Sequence, residues 1–379
     1  YYTIKEKGKR FTNLKEGHEL YTAGHLMEAA TAYYRATGKD KFLRIMIKFA
    51  DLICTLFSDE NNSRAYPGHQ EIEIGLIKMY EATGNEKYLK QAKAFLERRG
   101  RIPDYFEEEK KNPAYRMIFP ELEDYDRKYA QTHLPVRQQK TAEGHAVRAV
   151  YMYSAMADIA AFYKDADLLN VCRTLWENIV GKRMYITGSI GSSGLLERFT
   201  TDYDLPNNCN YSESCASVGL ALFSRRMAQI TGEARYMDIA ELALYNTVLA
   251  WISMYGRSFF YVNPLEVWPE NCLPRTSKEH VKPVRQKWFG VACCPPNIAR
   301  TLASLGEYAV FQNGADVYWN LYLGAEVTLD LDGHRTVIRM ETEFPAEGEV
   351  KLTVLSDKDY HGNLFLRIPH YVKRFDVSS

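Results

Sequence analysis

Four residues with metal-ligating side chains stand in two short motifs that are far apart in the sequence. Glu213 and Cys215 belong to "ESC", and Cys293 and Cys294 form "CC". One carboxylate and three thiolates suit four-coordinate zinc and suit magnesium or calcium poorly. Two adjacent cysteines cannot form an ordinary unstrained disulfide with each other, so a shared metal ion is a reasonable way to hold them. A closed structural zinc site, or cysteines buried as small apolar side chains, would explain the same residues.

A carboxylate precedes the first motif in a Gly- and Thr-rich stretch, "SSGLLERFTTDYDLPNN", where Glu197 lies. Cleavage of a glycoside with retention of configuration needs a nucleophile and a general acid/base on opposite sides of the anomeric carbon. Both could be carboxylates, but a zinc-bound cysteine stays a thiolate at neutral pH and can attack carbon. We therefore predict Cys293 or Cys294 as the nucleophile and Glu197 as the acid. Asp202 and Asp204 are rival acids, although Asp more often caps such loops.

A recurring helical unit would position these side chains: a polar opening, an amphipathic helix, a tight turn and a second helix. Three copies turn at a Thr-Gly pair, where glycine supplies a left-handed cap, and the third copy has Lys164-Asp165 instead. A shorter fifth helix starts at "CCPPN", where two prolines suit a first turn. The repeat predicts a mainly α fold, a toroid of helical hairpins or (α/α)6 barrel, with one pair expected before Tyr1.

Polar residues stand at equivalent positions in the copies of the repeat, at the N-terminal start of the first helix of each copy. His18, His69, His145 and Glu213 each stand at such a start, and the two adjacent cysteines stand at the fifth. If the first helices line the ring in the same direction, these groups converge at one end of it. A lone histidine near a helix start is more often structural than catalytic, but four equivalent positions with His or Glu favour a functional site.

The apolar pattern changes at about residue 316. Apolar and polar residues then alternate through "AEVTLDL", and Asp332-Gly333 is a hairpin signal. We predict that residues 1–315 form the catalytic barrel with its N-terminal part missing, and that residues 316–379 form the start of a truncated β-sandwich domain.

Charge and cysteine content exclude several classes of function. Lys and Arg total 48 and Asp and Glu total 48, without a long basic stretch, which argues against a nucleic-acid partner. No run of about 18 apolar residues is present, so we expect no membrane partner. Seven cysteines without the spacing of a small disulfide scaffold favour a reducing compartment. The expected location is cytoplasmic, and a homodimer is a candidate assembly.

Five motifs, "GHAVRA", "DYDLPN", "ESCAS", "YVNPLE" and "CCPPN", occur in that order. By these motifs the chain resembles glycoside hydrolase family 127, the β-L-arabinofuranosidases, from about Phe11 to its end. The resemblance implies an (α/α)6 barrel followed by β-sandwich domains, and a retaining exo-glycosidase. It also implies zinc ligands at Glu213, Cys215, Cys293 and Cys294, a nucleophile at Cys293, an acid/base at Glu197, and sugar contacts at His18, His69, His145, Glu241 and Tyr261.

Two of these sugar-contact candidates have ordinary interpretations as well. Glu241 lies within a second helix, "AELALYN", where an exposed glutamate in a salt bridge is common. Tyr261 could serve packing. His133, in "THLPVRQQ", is a further candidate near the pocket.

We therefore hypothesise that the substrate is a small oligosaccharide or an arabinofuranoside. In this hypothesis a zinc-bound Cys293 thiolate attacks the substrate, while Glu197 acts first as acid and then as base. Two other functions stay open. A toroidal sugar epimerase would use His69 and His145 as an acid/base pair, but it would not need three cysteines and a carboxylate. A non-catalytic sugar-binding protein would use the zinc for structure alone.

Overall fold

The computed structural model describes residues 7–61, 63–123, 126–291, 293–331 and 333–378. The helices are α1 (Glu19–Thr37), α2 (Lys41–Phe57), α3 (Ile72–Thr83), α4 (Glu86–Arg98), α5 (Tyr105–Glu109), α6 (Ala146–Phe162), α7 (Ala166–Asn178), α8 (Ser214–Thr231), α9 (Ala234–Ala243), α10 (Cys294–Ala303) and α11 (Gly306–Ala309). The strands are β1 (Val310–Asn313), β2 (Asp316–Trp319), β3 (Ala325–Leu331), β4 (His334–Thr342), β5 (Val350–Ser356) and β6 (Leu364–Leu366). The prediction of a mainly helical chain with a β region after the helices is confirmed.

The helices pack as hairpins in two layers. α1 packs against α2, α3 against α4, α6 against α7, and α8 against α9. The first helices of successive hairpins also pack against each other, so α1, α3, α6, α8 and α10 form the inner layer. α6 buries nearly every side chain, whereas α7 buries one face, as an inner and an outer helix should. In the described ranges, no helix is both long enough and apolar enough to cross a bilayer.

The turns between paired helices depend on left-handed residues. Gly38, Gly84 and Gly232 follow α1, α3 and α8 with φ of 69°, 70° and 71°, as predicted. Lys164 adopts φ of 52° in the turn between α6 and α7. The third copy therefore keeps the left-handed turn without the glycine.

Replacing Gly84 with alanine should lower the free energy of unfolding by about 1 kcal/mol, because a β-carbon disfavours positive φ. The added methyl group would meet no neighbouring heavy atom within 4 Å, so backbone strain rather than a clash is the cause. Gly181→Ala is the control, since its site is equally open and its φ is not positive. Chemical denaturation measures both variants, and equal stabilities would contradict this explanation.

The strands form two three-stranded sheets. β3, β4 and β5 pair antiparallel, while β2 pairs antiparallel with β1 and parallel with β6. Val317 and Trp319 from one sheet share a core with Ile338 and Met340 from the other, so the sheets pack face to face. Gly333 has φ of 79° in the predicted hairpin between β3 and β4, and Asp332 lies outside the described residues.

Candidate active site

The four predicted metal ligands meet at the start of two inner helices. Glu213 directly precedes α8, and Cys215 lies in its first turn. Cys293 directly precedes α10, and Cys294 is its first residue. α8 and α10 pack against each other, which brings the two motifs together across a long separation in sequence.

The three sulfurs and the Glu213 carboxylate form a compact cluster. The Cys215 sulfur lies 3.6 Å from that of Cys293 and 3.3 Å from that of Cys294, and the latter two are 3.9 Å apart. Glu213 Oε1 is 3.3 Å from the Cys293 sulfur and 3.6 Å from the Cys294 sulfur. A disulfide bond is about 2.05 Å long, whereas thiolates about 2.3 Å from a tetrahedral ion lie about 3.8 Å apart. The donor atoms therefore fit around one ion.

The electrostatics of the cluster also favour a cation. Glu213 is 3% exposed, and its Oε2 atom has no hydrogen-bond partner among the described residues. Burial, with the nearby Cys293, raises the pKa of Glu213, and burial raises the pKa of the Cys215 and Cys294 thiols. Four acidic groups in one buried place can all ionise only if a positive charge balances them. The cluster can thus hold a metal ion.

Cys293 differs from the other two cysteines. Its side chain is partly exposed and lines a cavity, whereas Cys294 is fully buried. The pKa of the Cys293 thiol is lowered by hydrogen bonds from Cys215 and Cys294 and from the Tyr261 hydroxyl, which lies 2.7 Å from the sulfur. The Ser214 amide donates to the Tyr261 carbonyl at 3.1 Å and so ties Tyr261 to the start of α8. Of the two candidate nucleophiles, Cys293 is the one that borders the cavity.

Glu197 lies in a tight loop with an unusual backbone. Ser193 and Arg198 pair across this loop. Leu196 and Glu197 both have positive φ, 57° and 54°, which non-glycine residues rarely adopt. Such strain is typical of sites where the surrounding structure must hold one side chain in place.

Two side chains hold the Glu197 carboxylate. His145 Nε2 lies 2.7 Å from it, and the Tyr211 hydroxyl donates to it at 2.8 Å. The Arg148 amide donates weakly to His145 Nδ1 at 3.4 Å, which leaves the proton on Nε2, facing Glu197. Burial acts to raise the pKa of Glu197, but the hydrogen bonds from His145 and Tyr211 outweigh it, so the pKa lies below its ordinary value. Glu197 is thus held as a carboxylate at neutral pH.

A cavity of about 1140 Å³ joins these groups. The rings of His18 and His69 are 5.5 Å apart, and those of His69 and His145 are 5.4 Å apart. The structure therefore brings the polar residues at the starts of the inner helices to one end of the inner layer. Of the residues predicted as catalytic, metal-binding or sugar-contacting, those that line the cavity are His18, His69, His145, Glu197, Glu213, Cys215, Tyr261 and Cys293.

Two of the histidines are held as neutral hydrogen-bond acceptors. His18 Nδ1 lies 2.6 Å from the Glu16 carbonyl, and His69 Nδ1 lies 2.8 Å from the Gln70 carbonyl. A carbonyl only accepts, so Nδ1 carries the hydrogen and Nε2 keeps its lone pair. Burial, and then the charge of Arg148, lower the pKa of His18 to about 4 and that of His69 well below its usual range. Both rings can accept hydrogen bonds from the hydroxyl groups of a ligand.

Glu241 is not among the residues that line the cavity, so its position does not support the prediction that it contacts the sugar. It belongs to the outer helix α9, and its carboxylate lies 3.0 Å from Arg367 Nη2 of the β region. The side chain is buried in this ion pair rather than exposed. In the described part of the chain, the residues that line the cavity include none of α9.

Of the three remaining candidates, Asp202, Asp204 and His133, one lines the cavity and two do not. Asp202 accepts hydrogen bonds from Arg183 at 2.7 Å and from Asn178 at 3.0 Å, which is a structural role outside the cavity. Asp204 does line the cavity. His133 is not among the residues that line it.

The sequence prediction missed several residues of the site. Tyr211 stands two positions before the "ESC" motif, and Arg148 lies within "GHAVRA", so both had a signal in their neighbourhood. His280 lines the cavity and packs 5.6 Å from the Tyr211 ring. No local pattern points to His280, because it lies between the "YVNPLE" and "CCPPN" motifs and belongs to neither.

Comparison with known proteins gives a consistent result. Residues 1–307 match the family model described as "Beta-L-arabinofuranosidase, GH127 catalytic domain", and residues 316–378 match that of the GH127 middle domain. A non-reducing end β-L-arabinofuranosidase of Bifidobacterium longum subsp. longum is 37% identical over 368 residues, which cover 95% of this chain and 55% of that protein.

Solved structures are similar as well. A GH127 β-L-arabinofuranosidase from Geobacillus stearothermophilus T6 is 50% identical with a TM-score of 0.93, covering 99% of this chain and 59% of that one. Another GH127 β-arabinofuranosidase is 38% identical with a TM-score of 0.81, covering 95% and 51%. The chain thus spans little more than half the length of these relatives.

Proposed function

Because the chain belongs to glycoside hydrolase family 127, the β-L-arabinofuranosidases, we propose that it cleaves β-L-arabinofuranosides at their non-reducing ends, releasing L-arabinose with retention of configuration. The family and the names of the relatives support the substrate. The observation that carries the proposed chemistry is the cavity that Cys293 and Glu197 both line, each close to Glu213.

We assign zinc to the cluster of Glu213, Cys215, Cys293 and Cys294, since three sulfurs and one carboxylate oxygen are donors that zinc accepts in tetrahedral sites. When bound, zinc would supply the positive charge that keeps the cysteines deprotonated and the orientation that aims Cys293 at the cavity.

The reaction takes two displacements. The Cys293 sulfur bonds to the anomeric carbon as the glycosidic C–O bond breaks, and Glu197 gives its proton to the leaving oxygen. Glu197 then takes a proton from water, whose oxygen replaces the sulfur on that carbon. Each displacement inverts the carbon, so the product retains the configuration of the substrate.

The neighbouring residues prepare these two groups. His145 and Tyr211 fix the direction of the Glu197 carboxyl. Substrate that displaces water from the cavity favours the protonated form of Glu197, which the first step requires. The Tyr261 hydroxyl holds the Cys293 sulfur in place, and His18 and His69 accept hydrogen bonds from sugar hydroxyls.

For the fold, we propose that residues 1–315 form an (α/α)6 barrel and residues 316–379 a β-sandwich domain, with β1 at the end of the first segment pairing with β2 of the second. The cytoplasmic location and the homodimer stay predictions from the sequence.

An aryl β-L-arabinofuranoside assay on the full chain, paired with metal analysis, tests the function. We expect hydrolysis by the zinc-loaded protein, loss of activity after dialysis against a chelator, and recovery when zinc is returned. Release of free arabinose also separates a glycosidase from an epimerase or a sugar-binding protein. A folded, zinc-loaded protein that releases no arabinose would contradict the proposal.

A further inference from the structure

A polar cluster lies inside the inner layer of helices, and the proposed reaction does not use it. Arg300 of α10 is at its centre. The Arg300 guanidinium donates to the Glu28 carboxylate of α1 and, at 3.1 Å, to the Tyr151 hydroxyl of α6. It lies 3.9 Å from Glu71 Oε1, just before α3. One side chain of α10 therefore reaches residues of three other inner helices or their starts.

The positive charge of Arg300 stabilises the carboxylates around it. Glu71 is completely buried, and Glu28 is largely buried, so each would be costly as an unpaired anion. His25 Nδ1 lies 2.9 Å from Glu71 Oε1, and the His25 ring packs 4.5 Å from Tyr21, which lines the cavity. The cluster is thus one layer of side chains away from the site.

Asn297 joins this cluster to the cysteine pair. Its amide donates to the Cys293 carbonyl at 3.2 Å, so it lies one helical turn further along α10. Its side chain donates to the Tyr151 hydroxyl at 2.8 Å and accepts from Arg300 Nε at 2.7 Å. The same turn of α10 that follows the cysteines is therefore anchored to α6.

Among the inner helices of the described residues, α10 has one main packing partner. α10 is 10 residues long, and α8 is the inner helix against which it mainly packs. Contacts to α8 alone would fix α10 against only one other inner helix. Polar side chains of one turn supply the missing attachments to α1, α3 and α6.

We propose that Arg300 is a positioning residue, which sets the place of Cys293 and Cys294 relative to Glu213 and Cys215. This inference rests on the proposed zinc site. Two donors lie at the start of α8 and two at the start of α10, so a small movement of α10 would separate the two pairs. Groups that orient metal ligands from behind typically contribute about 10- to 100-fold to metal affinity.

Zinc affinity, measured by competition with a chromophoric chelator, tests the proposal without any activity assay. Because Arg300 touches no ligand directly, Arg300→Met in the full chain should weaken zinc binding about 10-fold, the lower end of that range, and alter the visible absorption spectrum of the cobalt-substituted protein. Arg98→Met is the control. Arg98 is buried and donates to the Phe57 carbonyl at 2.8 Å and to Asp59 at 2.6 Å, joining α4 to the end of α2, so its loss removes a buried charge without touching α8 or α10. Its zinc affinity should equal that of the unaltered protein.

A milder pair of variants covers the case in which Arg300→Met does not fold. Tyr151→Phe removes the hydroxyl that accepts from Asn297 and Arg300 and should weaken zinc binding several-fold. Tyr153→Phe is its control, because Tyr153 is buried on the same helix but packs against Phe223 of α8. Zinc affinities of the two test variants that match those of their controls would overturn the inference. An unaltered protein that binds no zinc would instead reject the proposed zinc site itself.

Discussion

Replacing Cys293 with serine should lower kcat for β-L-arabinofuranosides by at least about 10³-fold, because a serine hydroxyl is not ionised at neutral pH and is a poor nucleophile in this position. The loss should be as large for substrates with good leaving groups as for those with poor ones, since bond formation to carbon is required for both. Hydrolysis by the purified variant at saturating zinc, with zinc content and the circular dichroism spectrum measured alongside, gives the result.

Cys294→Ser separates the role of nucleophile from that of metal ligand. Both variants lose one sulfur from the same cluster, but Cys293 lines the cavity and Cys294 is fully buried. If Cys293 is the nucleophile, zinc-loaded Cys294→Ser keeps measurable activity while zinc-loaded Cys293→Ser does not. Activities that simply follow zinc occupancy in both variants would show that Cys293 is a ligand alone.

The location of the cluster explains how so many acidic groups can share it. Glu213 and Cys215 lie at the start of α8, and Cys293 and Cys294 lie at the start of α10. The unpaired amides of a helix start carry partial positive charge, which stabilises thiolates and carboxylates there. Two helix starts and one cation thus offset the charge of four anionic donors. The repeat that builds the inner layer of helices also places these helix starts side by side.

The features that were predictable from the sequence are those with a local signal. The turns at Gly38, Gly84 and Gly232 follow from the steric freedom of glycine, and the shared direction of the inner helices follows from the repeat. That is why His69 and His145, at the starts of two inner helices, could be expected to lie close together.

The features that were not predictable depend on contacts between distant segments. Which of Cys293 and Cys294 borders the cavity depends on how α10 is rotated against α8. The burial of Glu241 depends on Arg367, which comes from a strand region more than a hundred positions later. His280 belongs to the site because its loop folds back onto Tyr211.

Replacing Glu197 with glutamine should lower the rate of cleavage by an amount that depends on the leaving group of the substrate. Aglycones that need a proton, such as a second sugar, should be cleaved about 10²- to 10⁴-fold more slowly, because general acid catalysis is lost. Aryl aglycones that leave as stable anions should depart at nearly the normal rate. The second step then lacks its base, so a glycosyl group should accumulate on Cys293, visible as added mass on the intact protein.

Azide provides a further test of the same variant, since it attacks carbon without needing a base. It should restore turnover of the aryl substrate by Glu197→Gln and yield the β-glycosyl azide. Asp204→Asn is the matched control, because Asp204 also lines the cavity and is the rival acid. That variant should show neither the dependence on leaving group nor the rescue by azide. If Asp204→Asn shows both and Glu197→Gln shows neither, Asp204 is the acid/base, and the hydrogen bonds from His145 and Tyr211 serve only to hold the loop.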